Sequence, residues 1–291
     1  MKSSPRHNAT NDSQMLAHIK SMQRAISFME LHLQENIMIG DAAEAACCSL
    51  FHFCRTFNRI VRHTPYDYLM RRRLSEAARQ LIETDRKIIE IALDFQFNSA
   101  EGFSRAFRRM FQTTPTEWRK QTIPPAHSMM PLITEEYLRH INMGGIGPVV
   151  MKKKEAMQVK GMTVWLENEP VDIKLVWQRV LALEQSSSEK RFAIRGYEDN
   201  EPFYIAGVLV PENVIGQPPW GLTTIPAGMY ICCEHHGRYL ALDFTRRFLF
   251  HTWKAKTGVV MRTDLEIQQM HDIKSMRDDE QLTINVWIPL E

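Results

Sequence analysis

The chain has 291 residues, of which 44% are hydrophobic and 24% charged. This balance excludes an intrinsically disordered chain, and the length is sufficient for two domains of ordinary size. The net charge of +2 conceals an asymmetry, because residues 1–121 hold 18 Lys and Arg against 13 Asp and Glu, whereas residues 122–291 hold 18 against 21. The basic first part favours a polyanionic partner.

The five cysteines argue against a disulfide framework and against a zinc site, because neighbouring cysteines rarely bridge and no CxxC pair is present. They are Cys47, Cys48, Cys54, Cys232 and Cys233. Cys232 and His235 have the spacing of metal ligands, but no second pair completes a set, so neither a metal nor a cofactor is predicted. The polar N-terminus predicts no signal peptide, and no apolar run reaches the ~20 residues of a membrane span. A reducing cytoplasm without membrane contact is the expected compartment.

Helical periodicity organises the first 121 residues. Residues 1–14 are predicted to be a loose arm, and an apolar period predicts a helix over residues 14–35. A short Ala-rich helix over residues 39–46 follows. The next helix, LFHFCRTFNRIV, is capped by Ser49 and has an apolar back and a polar front. That front carries Phe51, Cys54, Arg55 and Asn58, at i, i+3, i+4 and i+7.

A long helix is predicted over Pro65–Thr84, with Tyr68, Leu69 and Leu81 on its inner side. It contains three consecutive arginines, Arg71, Arg72 and Arg73. Two interpretations of this run stay open. The arginines form a solvated charge run, or they reach the phosphates of a nucleic acid.

The stretch from Ile88 to Phe111 predicts two short helices joined by a tight turn. Asn98 or Ser99 caps the second helix. That helix has an apolar back and a charged front with Glu101, Arg105, Arg108 and Arg109. A short basic helix held against a preceding helix is the layout of a helix-turn-helix. The alternative is an ordinary amphipathic hairpin with a solvated face. Pro115 suits the first turn of a closing helix.

The helix-turn-helix pattern occurs twice, with Arg55 and Arg105 in equivalent places 50 residues apart. Two such motifs with a connecting helix resemble the DNA-binding domain of the AraC/XylS family of bacterial transcription regulators. The resemblance covers roughly residues 22–121. The residues that carry it are Arg73, Leu74, Ala77, Leu81, Ile82, Thr84, Ile88, Ile91, Ala92, Phe97, Ser99, Phe103, Arg105, Phe107, Arg108, Phe111, Pro115, Trp118 and Arg119.

The sequence departs from the family at three turn positions where many members have glycine. They are Cys47, Gln96 and Gln112. A non-glycine residue in a left-handed turn costs about 1–2 kcal/mol. This departure concerns the details of the turns and leaves the expected fold unchanged, an all-α tandem helix-turn-helix domain over residues 15–121.

The resemblance implies which side chains face DNA. The positions from which the family's recognition helices touch bases are Phe51, Cys54, Arg55, Ala100, Glu101 and Arg105. Arg can bond bidentately to guanine, and Glu can accept from cytosine. Phosphate contacts, which give affinity without sequence information, are expected from Arg59, Arg62, Arg108 and Arg119. For each of these residues the alternative is a solvated side chain.

The chain changes character beyond residue 121. Residues 122–149 are predicted to be a linker, Pro-rich over residues 123–131, with a short amphipathic helix. The β-rich runs that follow cover residues 159–166, 203–211, 229–234 and 282–289, and the helical runs cover residues 175–183 and 240–254. This order predicts an α+β domain built on antiparallel strands over residues 150–291, and therefore a multidomain chain.

A series of motifs carries a second resemblance. They are IKLVWQRV, RGYED, FYIAGVLVP, IPAGMYICCEHHGRY, FLFHTWKAKTG, TDLEIQQM and NVWIPL. In this order they are similar to gyrase-inhibitor-like effector-binding domains, which fold as two related halves around a small-molecule cleft. The whole chain resembles the Rob-type members of the AraC/XylS family. The implied function is a transcription regulator that binds double-stranded DNA and a small-molecule effector, with RNA polymerase as a further partner.

Glu266 matches the acidic residue of the cleft in the resembling domains, and Trp177, Tyr204, Tyr230 and Trp253 lie in the flanking motifs. A carboxylate in an apolar pocket needs a cation, a donor or a proton. Aromatic faces around a carboxylate suit an organic cation as effector. The alternatives are a solvated carboxylate on a strand edge and aromatic residues that belong to the core.

Two further functions stay open for the second domain. Some gyrase-inhibitor-like domains are hydrolases that open reactive small molecules, but no Ser-His-Asp or Cys-His set is evident, so no catalytic residue is assigned and the chain is not predicted to be an enzyme. A module that only inhibits a protein partner would leave the basic first domain unexplained.

Overall fold

The chain divides into two compact units, Met1–Met143 and Gly144–Glu291. The computed structural model describes residues 5–121, 124–125, 127–166, 172–183, 190–198, 201–211, 219–271 and 281–291. The first unit is helical and the second is a sheet with helices, so the predicted two-domain fold class is confirmed.

The described part of the first unit contains eight helices. Their bounds are α1 Pro5–Leu31, α2 Ile39–Ala45, α3 Leu50–Val61, α4 Pro65–Glu83, α5 Ile88–Asp94, α6 Ala100–Phe111, α7 Pro115–Arg119 and α8 Glu135–Asn142. The pairs α2–α3 and α5–α6 are the two predicted helix-turn-helix motifs, and α4 connects them. Ser99 caps α6, as one of the two predicted alternatives, by accepting a hydrogen bond from the Gly102 amide at 3.0 Å.

The predicted loose arm is wrong for residues 5–14, because α1 begins at Pro5; residues 1–4 lie outside the described residues. Proline suits the first position of a helix, and no glycine or second proline interrupts the chain up to Leu31. Ile19, Met22 and Ile26 are fully buried and anchor the middle of α1. The buried middle of α1 therefore supports the first turns of the helix, although their sequence has no apolar period.

Aromatic side chains form the core beneath each reading helix. Phe53 and Phe57 of α3 pack edge-to-face with a ring separation of 5.3 Å, and Phe57 packs on Tyr68 of α4. In the second motif Phe107 of α6 packs on Trp118 at 5.7 Å. The Trp118 indole donates to the Ala78 carbonyl of α4 at 2.9 Å. The two motifs therefore share α4 as a common support.

The three arginines of α4 were predicted either to be solvated or to reach phosphates, and neither prediction describes all three. Arg72 and Arg73 are each only 6% exposed. Arg73 donates to the carbonyls of Leu33 at 2.8 Å and Glu35 at 2.6 Å, where it satisfies backbone acceptors just beyond the end of α1. Arg71 alone lies nearer the surface and pairs with Asp67 one turn away at 2.9 Å.

Arg72 is the centre of a buried ion-pair network. Its guanidinium donates to both carboxylate oxygens of Glu30, each at 2.9 Å, and to Glu76 at 2.9 Å. Its third nitrogen donates to the Met130 carbonyl at 2.6 Å. Tyr68 also donates to Glu30, at 2.7 Å. Arg72 therefore joins α1, α4 and the segment that leads to α8.

The segment predicted as a linker is packed against the first unit in its later part. Met130 is 2% exposed, and its amide donates to Ser75 at 2.9 Å. Leu138 and Ile141 of α8 are buried, and the Asn142 side chain donates to the Ile60 carbonyl at 2.9 Å. The unit boundary falls at Gly144, and the first strand begins at Ile146, earlier than the predicted domain start at residue 150.

The three positions at which many members of the resembling family have glycine adopt the left-handed conformation in this chain. Cys47, Gln96 and Gln112 have φ of 55°, 65° and 59°. Arg62 joins them with φ of 68° at the end of α3. Each position ends a helix or the turn after it, so the chain tolerates this strain in order to reverse direction sharply.

We expect Gln112→Gly to stabilise the second helix-turn-helix by about 0.5–1 kcal/mol, because glycine removes the left-handed strain but loses more entropy on folding. Gln112→Ala is the matched control and should not stabilise, since it shortens the side chain but keeps the Cβ. Hydrogen exchange of the α6 amides in the intact chain measures the difference. Equal protection in the two variants would contradict the strain argument.

The second unit is built on one antiparallel sheet. In the described residues its strands are β1 Ile146–Lys154, β2 Met157–Trp165, β3 Arg191–Glu198, β4 Glu201–Val210, β5 Gly221–Ile225, β6 Gly228–Gly237, β7 Leu265–His271 and β8 Leu282–Pro289. Their order is β1-β6-β8-β7-β3-β4-β2-β5. The helical elements are α9 Ile173–Leu183, a 3₁₀ turn Tyr239–Ala241, α10 Leu242–Arg247, a π-helical segment Phe248–Trp253 and α11 Lys254–Thr257.

The sheet consists of two topologically equivalent halves. Strands β1 to β4 with α9 form one half, and strands β5 to β8 with α10 and α11 form the other. Exchanging the halves leaves the strand order unchanged, and the first strand of each half lies at the edge of the other half. The halves meet where β3 pairs with β7, with Arg195 opposite Glu266. This is the two-half arrangement that the second resemblance implied.

Both helical segments pack on one face of the sheet. Trp177 and Val180 of α9 and Leu242 of α10 form a core with Ala193, Ile231 and other strand residues. A second apolar cluster, which includes Phe192, Ile194 and Tyr230, lies on strand positions that alternate with these. The edge strand β1 carries Lys152–Lys154, and charged side chains on an edge discourage pairing with another chain.

The runs predicted as strands correspond to β2, β4, β6 and β8, whereas β1, β3, β5 and β7 carried no such prediction. β7 reads LEIQQMH, with polar residues at buried positions, and β1 reads IGPVVMKKK, with a proline and three lysines. Neither shows the apolar content or alternation of an isolated strand signal. Their pairing depends on neighbouring strands.

Candidate DNA interface and effector site

The front of α3 is an exposed polar and aromatic surface. Phe53, Phe57 and Ile60 hold the opposite side of the helix in the core. Phe51 is 78% exposed, an unusual state for a large apolar side chain. Arg55 and Arg59 are exposed beside it, and Cys54 is half-buried. The structure therefore brings the predicted contacts of the first motif onto one face.

The front of α6 repeats this arrangement. Phe103 and Phe107 are fully buried, while Glu101, Arg105 and Arg108 are exposed. Ala100 is half-buried at the start of the helix, directly after its Ser99 cap. Among the described residues, Arg105 and Arg108 have no hydrogen-bond or ion-pair partner, so their guanidinium groups are available to an external anion.

The two motifs match residue by residue at a spacing of 50. α3 and α6 have the same length of 12 residues, and each ends in a left-handed residue. Each is followed by a threonine N-cap and a proline at the first position of the next helix, Thr64-Pro65 and Thr114-Pro115. Arg55 and Arg105 therefore occupy the same position in two equally built frames.

The residues predicted to contact phosphates differ in their availability. Arg119 is half-buried and donates to the carbonyls of Leu81 at 3.1 Å and Arg86 at 2.6 Å, so it braces α4 from within the chain. Arg62 donates to the Asn142 side chain at 3.4 Å, a long contact. Arg59 donates to His18 of α1 at 3.1 Å.

Glu266 of β7 is buried rather than solvated on a strand edge. It is 7% exposed and accepts hydrogen bonds from Arg246 Nε of α10 at 3.0 Å and 2.8 Å on its two oxygens. Gln268 donates to it at 2.7 Å. Burial by itself would raise the pKa of Glu266, but the Arg246 guanidinium and the Gln268 amide hold that pKa below the ordinary value of a glutamate.

A polar chain extends from Glu266 into the aromatic core. The Tyr239 hydroxyl donates to Gln268 at 3.1 Å and lies 3.1 Å from the Tyr204 hydroxyl. Tyr204 accepts from the Trp177 indole at 2.8 Å. Burial raises the pKa values of both tyrosines, so both hydroxyls are protonated at neutral pH. Trp177 and Tyr204 thus belong to the same network as Glu266.

Sequence reasoning missed Arg246, Gln268 and Tyr239. A buried carboxylate needs a counterion, which is the one signal in the sequence that points to a basic partner for Glu266. Arg246 lies 20 residues before Glu266, and the sequence does not distinguish it from the adjacent Arg247. Only the fold distinguishes them: Arg246 is 8% exposed, whereas Arg247 pairs near the surface with Asp243.

The other two aromatic residues predicted to bind the effector, Tyr230 and Trp253, lie in different apolar clusters. Tyr230 is buried in the second apolar cluster, on the other set of strand positions, and donates to the Pro226 carbonyl at 2.7 Å. Tyr230 therefore lies on the opposite face of the sheet from Glu266, because side chains alternate between faces along β6, and its contact with an effector stays a prediction. Trp253 packs against the core that holds Trp177.

Cys232 and His235 do not form a metal pair. Cys232 belongs to the second apolar cluster, and His235, three residues along β6, is on the helix-covered side, fully buried, 2.8 Å from the Thr245 hydroxyl. No group of His, Cys, Asp and Glu suited to a metal ion occurs among the residues with described positions. No described helix is long and apolar enough to cross a membrane.

Comparison with known protein families matches both units. Residues 42–121 match a helix-turn-helix domain family, and residues 149–291 match the GyrI-like small molecule binding domain. The second match begins close to the structural boundary at Gly144. Together the two families account for most of the chain.

Individual relatives share the first unit. The regulatory protein SoxS of Escherichia coli is 35% identical over 36% of this chain and 97% of its own length. The HTH-type transcriptional regulator YbfP of Bacillus subtilis is 40% identical, with 34% of each chain covered, so this chain spans about a third of that relative. A crystal structure of an AraC-type transcriptional regulator from Chromobacterium violaceum is 30% identical over 37% of this chain and 96% of that chain, with a TM-score of 0.35.

Proposed function

We propose a function that starts from the family of the chain, which belongs to the AraC family of transcription regulators as a Rob-type member with a GyrI-like second domain. The protein binds double-stranded DNA through its first unit and a small-molecule effector through its second unit. The observation that carries the DNA part is the repeated frame in which α3 and α6 expose equivalent fronts. As a transcription regulator, it acts on DNA next to RNA polymerase.

We expect one chain to occupy two successive major-groove segments, because it already carries two reading helices. Dimeric regulators reach the same repeat, about 34 Å, with one helix from each chain. A footprint of the intact protein on a site selected from random duplexes should span roughly two helical turns on one face of the DNA. A stoichiometry of two chains per site would contradict this arrangement.

Arg55→Ala and Arg105→Ala are each expected to weaken binding to the selected site by about 1–3 kcal/mol and to relax the base preference at one position. Arg108→Ala is the matched control on the same helix as Arg105. It should weaken binding to selected and scrambled duplexes alike, because a phosphate contact carries no sequence information. Competition binding at fixed salt separates the two effects. Equal losses on both duplexes for all three variants would reduce Arg55 and Arg105 to phosphate contacts.

The effector part rests on the polar and aromatic network at the junction of the two halves. Glu266, Tyr204 and Trp177 supply one negative charge and two aromatic faces in a buried region. These groups support an organic cation as effector, since a desolvated carboxylate and aromatic faces both favour one. Arg246 already pairs with Glu266 at 2.8 Å, so a cationic effector must compete with this guanidinium or bind in addition to it.

The network gives less support to the alternative of a small-molecule hydrolase. A catalytic base needs a pKa near the operating pH, whereas Arg246 holds the pKa of Glu266 below its ordinary value. Both cysteines of β6 have thiol pKa values raised by burial, to about 11 for Cys232 and about 12 for Cys233, so neither is an activated nucleophile. A sensor without turnover accounts for these groups.

A further inference from the structure

A depression lies between α1 and the front of α3, and it combines two residues already predicted to contact DNA, Arg55 and Arg59, with residues that carry no such assignment. Its volume is about 440 Å³. It is lined by Gln14, His18, His52, Arg55, Thr56 and Arg59. These described lining residues include two arginines and two histidines and no carboxylate. Such a set favours an anion strongly over a cation or an apolar group.

One hydrogen bond in the depression depends on the protonation state of His18. Arg59 Nη2 lies 3.1 Å from His18 Nδ1. A guanidinium nitrogen can only donate, so Nδ1 accepts and the imidazole of His18 is neutral in this state. Protonation of His18 would place two donors against each other. An anion that accepts from both groups would remove this conflict.

The position of the depression identifies the anion. Arg55, which we assign to base contact, lines it, and Arg59 follows one turn later on the same helix. A helix that lies in the major groove has DNA backbone on either side of it. We propose that a DNA phosphate binds in this depression between Arg59 and the protonated imidazole of His18, with His52 beside them, so that α1 takes part in the DNA interface. This inference rests on the proposed DNA-binding function.

The electrostatics of the depression set the direction of the pH dependence. Burial, Arg59 and His52 lower the pKa of His18 below the ordinary value for histidine. The charged and titratable groups that line the depression with it are His52, Arg55 and Arg59 of α3. A bound phosphate favours the imidazolium and raises the pKa of His18. DNA affinity is therefore gained below the pKa of the free protein and lost as the pH rises through the pKa of the complex.

The test measures binding of the intact protein to a labelled mixed-sequence duplex of about 20 base pairs, two turns of B-DNA. Mixed-sequence DNA is suitable because phosphate contacts dominate non-specific affinity. If binding raises the pKa of His18 by about one unit, wild-type affinity should rise as the pH falls from roughly 7.5 to 5.5 and approach a limit of about tenfold below the pKa of the free protein. The double variant His18→Gln, His52→Gln should lose most of this rise. The slope of log affinity against log salt at the lower pH should fall by about 0.9, one phosphate contact.

His32→Gln is the matched control. It makes the same substitution just beyond the end of α1, 14 residues from His18, where the His32 ring stacks on Phe28 and contacts its carbonyl at 2.7 Å. This variant should keep the wild-type pH dependence and salt slope. If the double variant also keeps both, the depression is not a phosphate site for DNA. If the wild type binds no duplex at low salt, the DNA-binding function itself fails.

A measurement without substitutions keeps the inference testable should the double variant misfold. The imidazole resonances of His18 in the wild-type protein should show a higher pKa when the duplex is added. Inorganic phosphate is the second probe. A shift of the His18 pKa with inorganic phosphate but not with duplex DNA would make the depression a site for a free anion and overturn the assignment to DNA.

Discussion

Arg72→Met is expected to lower the free energy of unfolding of the first unit by about 3–5 kcal/mol, because it leaves a buried carboxylate without its counterion. Glu30 accepts from two Arg72 nitrogens at 2.9 Å, and its side chain is 15% exposed. Methionine fills a similar volume, so the loss reports the missing charge and hydrogen bonds rather than a cavity. The same substitution removes the 2.6 Å hydrogen bond to the Met130 carbonyl and should loosen the segment before α8.

Arg79→Met is the matched control for this prediction. Arg79 lies on the same helix and pairs with Glu76 and Glu83, but its side chain is 51% exposed. Exposed ion pairs contribute about 0–1 kcal/mol, so this variant should retain nearly wild-type stability. Hydrogen exchange of α1 and α4 amides in the intact chain reports the first unit separately from the second. Similar losses of unfolding free energy in the two variants would show that the buried Arg72 ion pair contributes no more stability than the exposed Arg79 pairs.

Arg246→Met should bind cationic aromatic ligands at least about tenfold more tightly than the wild type. In the wild type Arg246 neutralises Glu266, and a cationic ligand must compete with it. Removal of the guanidinium leaves a buried, uncompensated carboxylate, which costs several kcal/mol and which a bound cation relieves. Glu266→Gln should have the opposite effect and weaken cation binding on the order of a hundredfold, because it keeps the shape and removes the charge.

Calorimetric titration with cationic, neutral and anionic aromatics measures these affinities. Arg247→Met is the matched control, since Arg247 is the next residue and pairs near the surface with Asp243 at 2.6 Å. It should bind like the wild type. Weaker cation binding by Arg246→Met would show that the pair is a structural brace and that the effector lies elsewhere. Consumption of the ligand by the wild type but not by Glu266→Gln would replace the sensor with a hydrolase.

The stability of Arg246→Met should also depend on pH. Burial without the guanidinium raises the pKa of Glu266 in the folded protein above its value in the unfolded chain. The folded state then favours the protonated carboxyl, so the loss of stability is largest at neutral pH and shrinks as the pH falls toward the range in which Glu266 is protonated. A loss independent of pH would mean that packing, and not charge, is what Arg246 contributes.

The sequence by itself determined the elements whose signals are local. The apolar positions of α3 and α6 recur at i and i+4, so both the buried backs and the exposed fronts with Arg55 and Arg105 followed from spacing alone. The left-handed turns at Cys47, Gln96 and Gln112 followed from comparison with glycine positions of the resembling family. The fold class of each unit also followed, because helical and strand periods differ.

Only the tertiary structure decided the partners of charged and aromatic residues. Arg71, Arg72 and Arg73 are identical in type and adjacent, yet two are buried and one is not, because the helix directs each toward a different neighbour. Tyr204 and Tyr230 lie in different clusters because of the register of their strands. The counterion of Glu266 comes from a helix packed over the sheet. Burial and pairing depend on contacts between distant segments, and residue spacing does not encode those contacts.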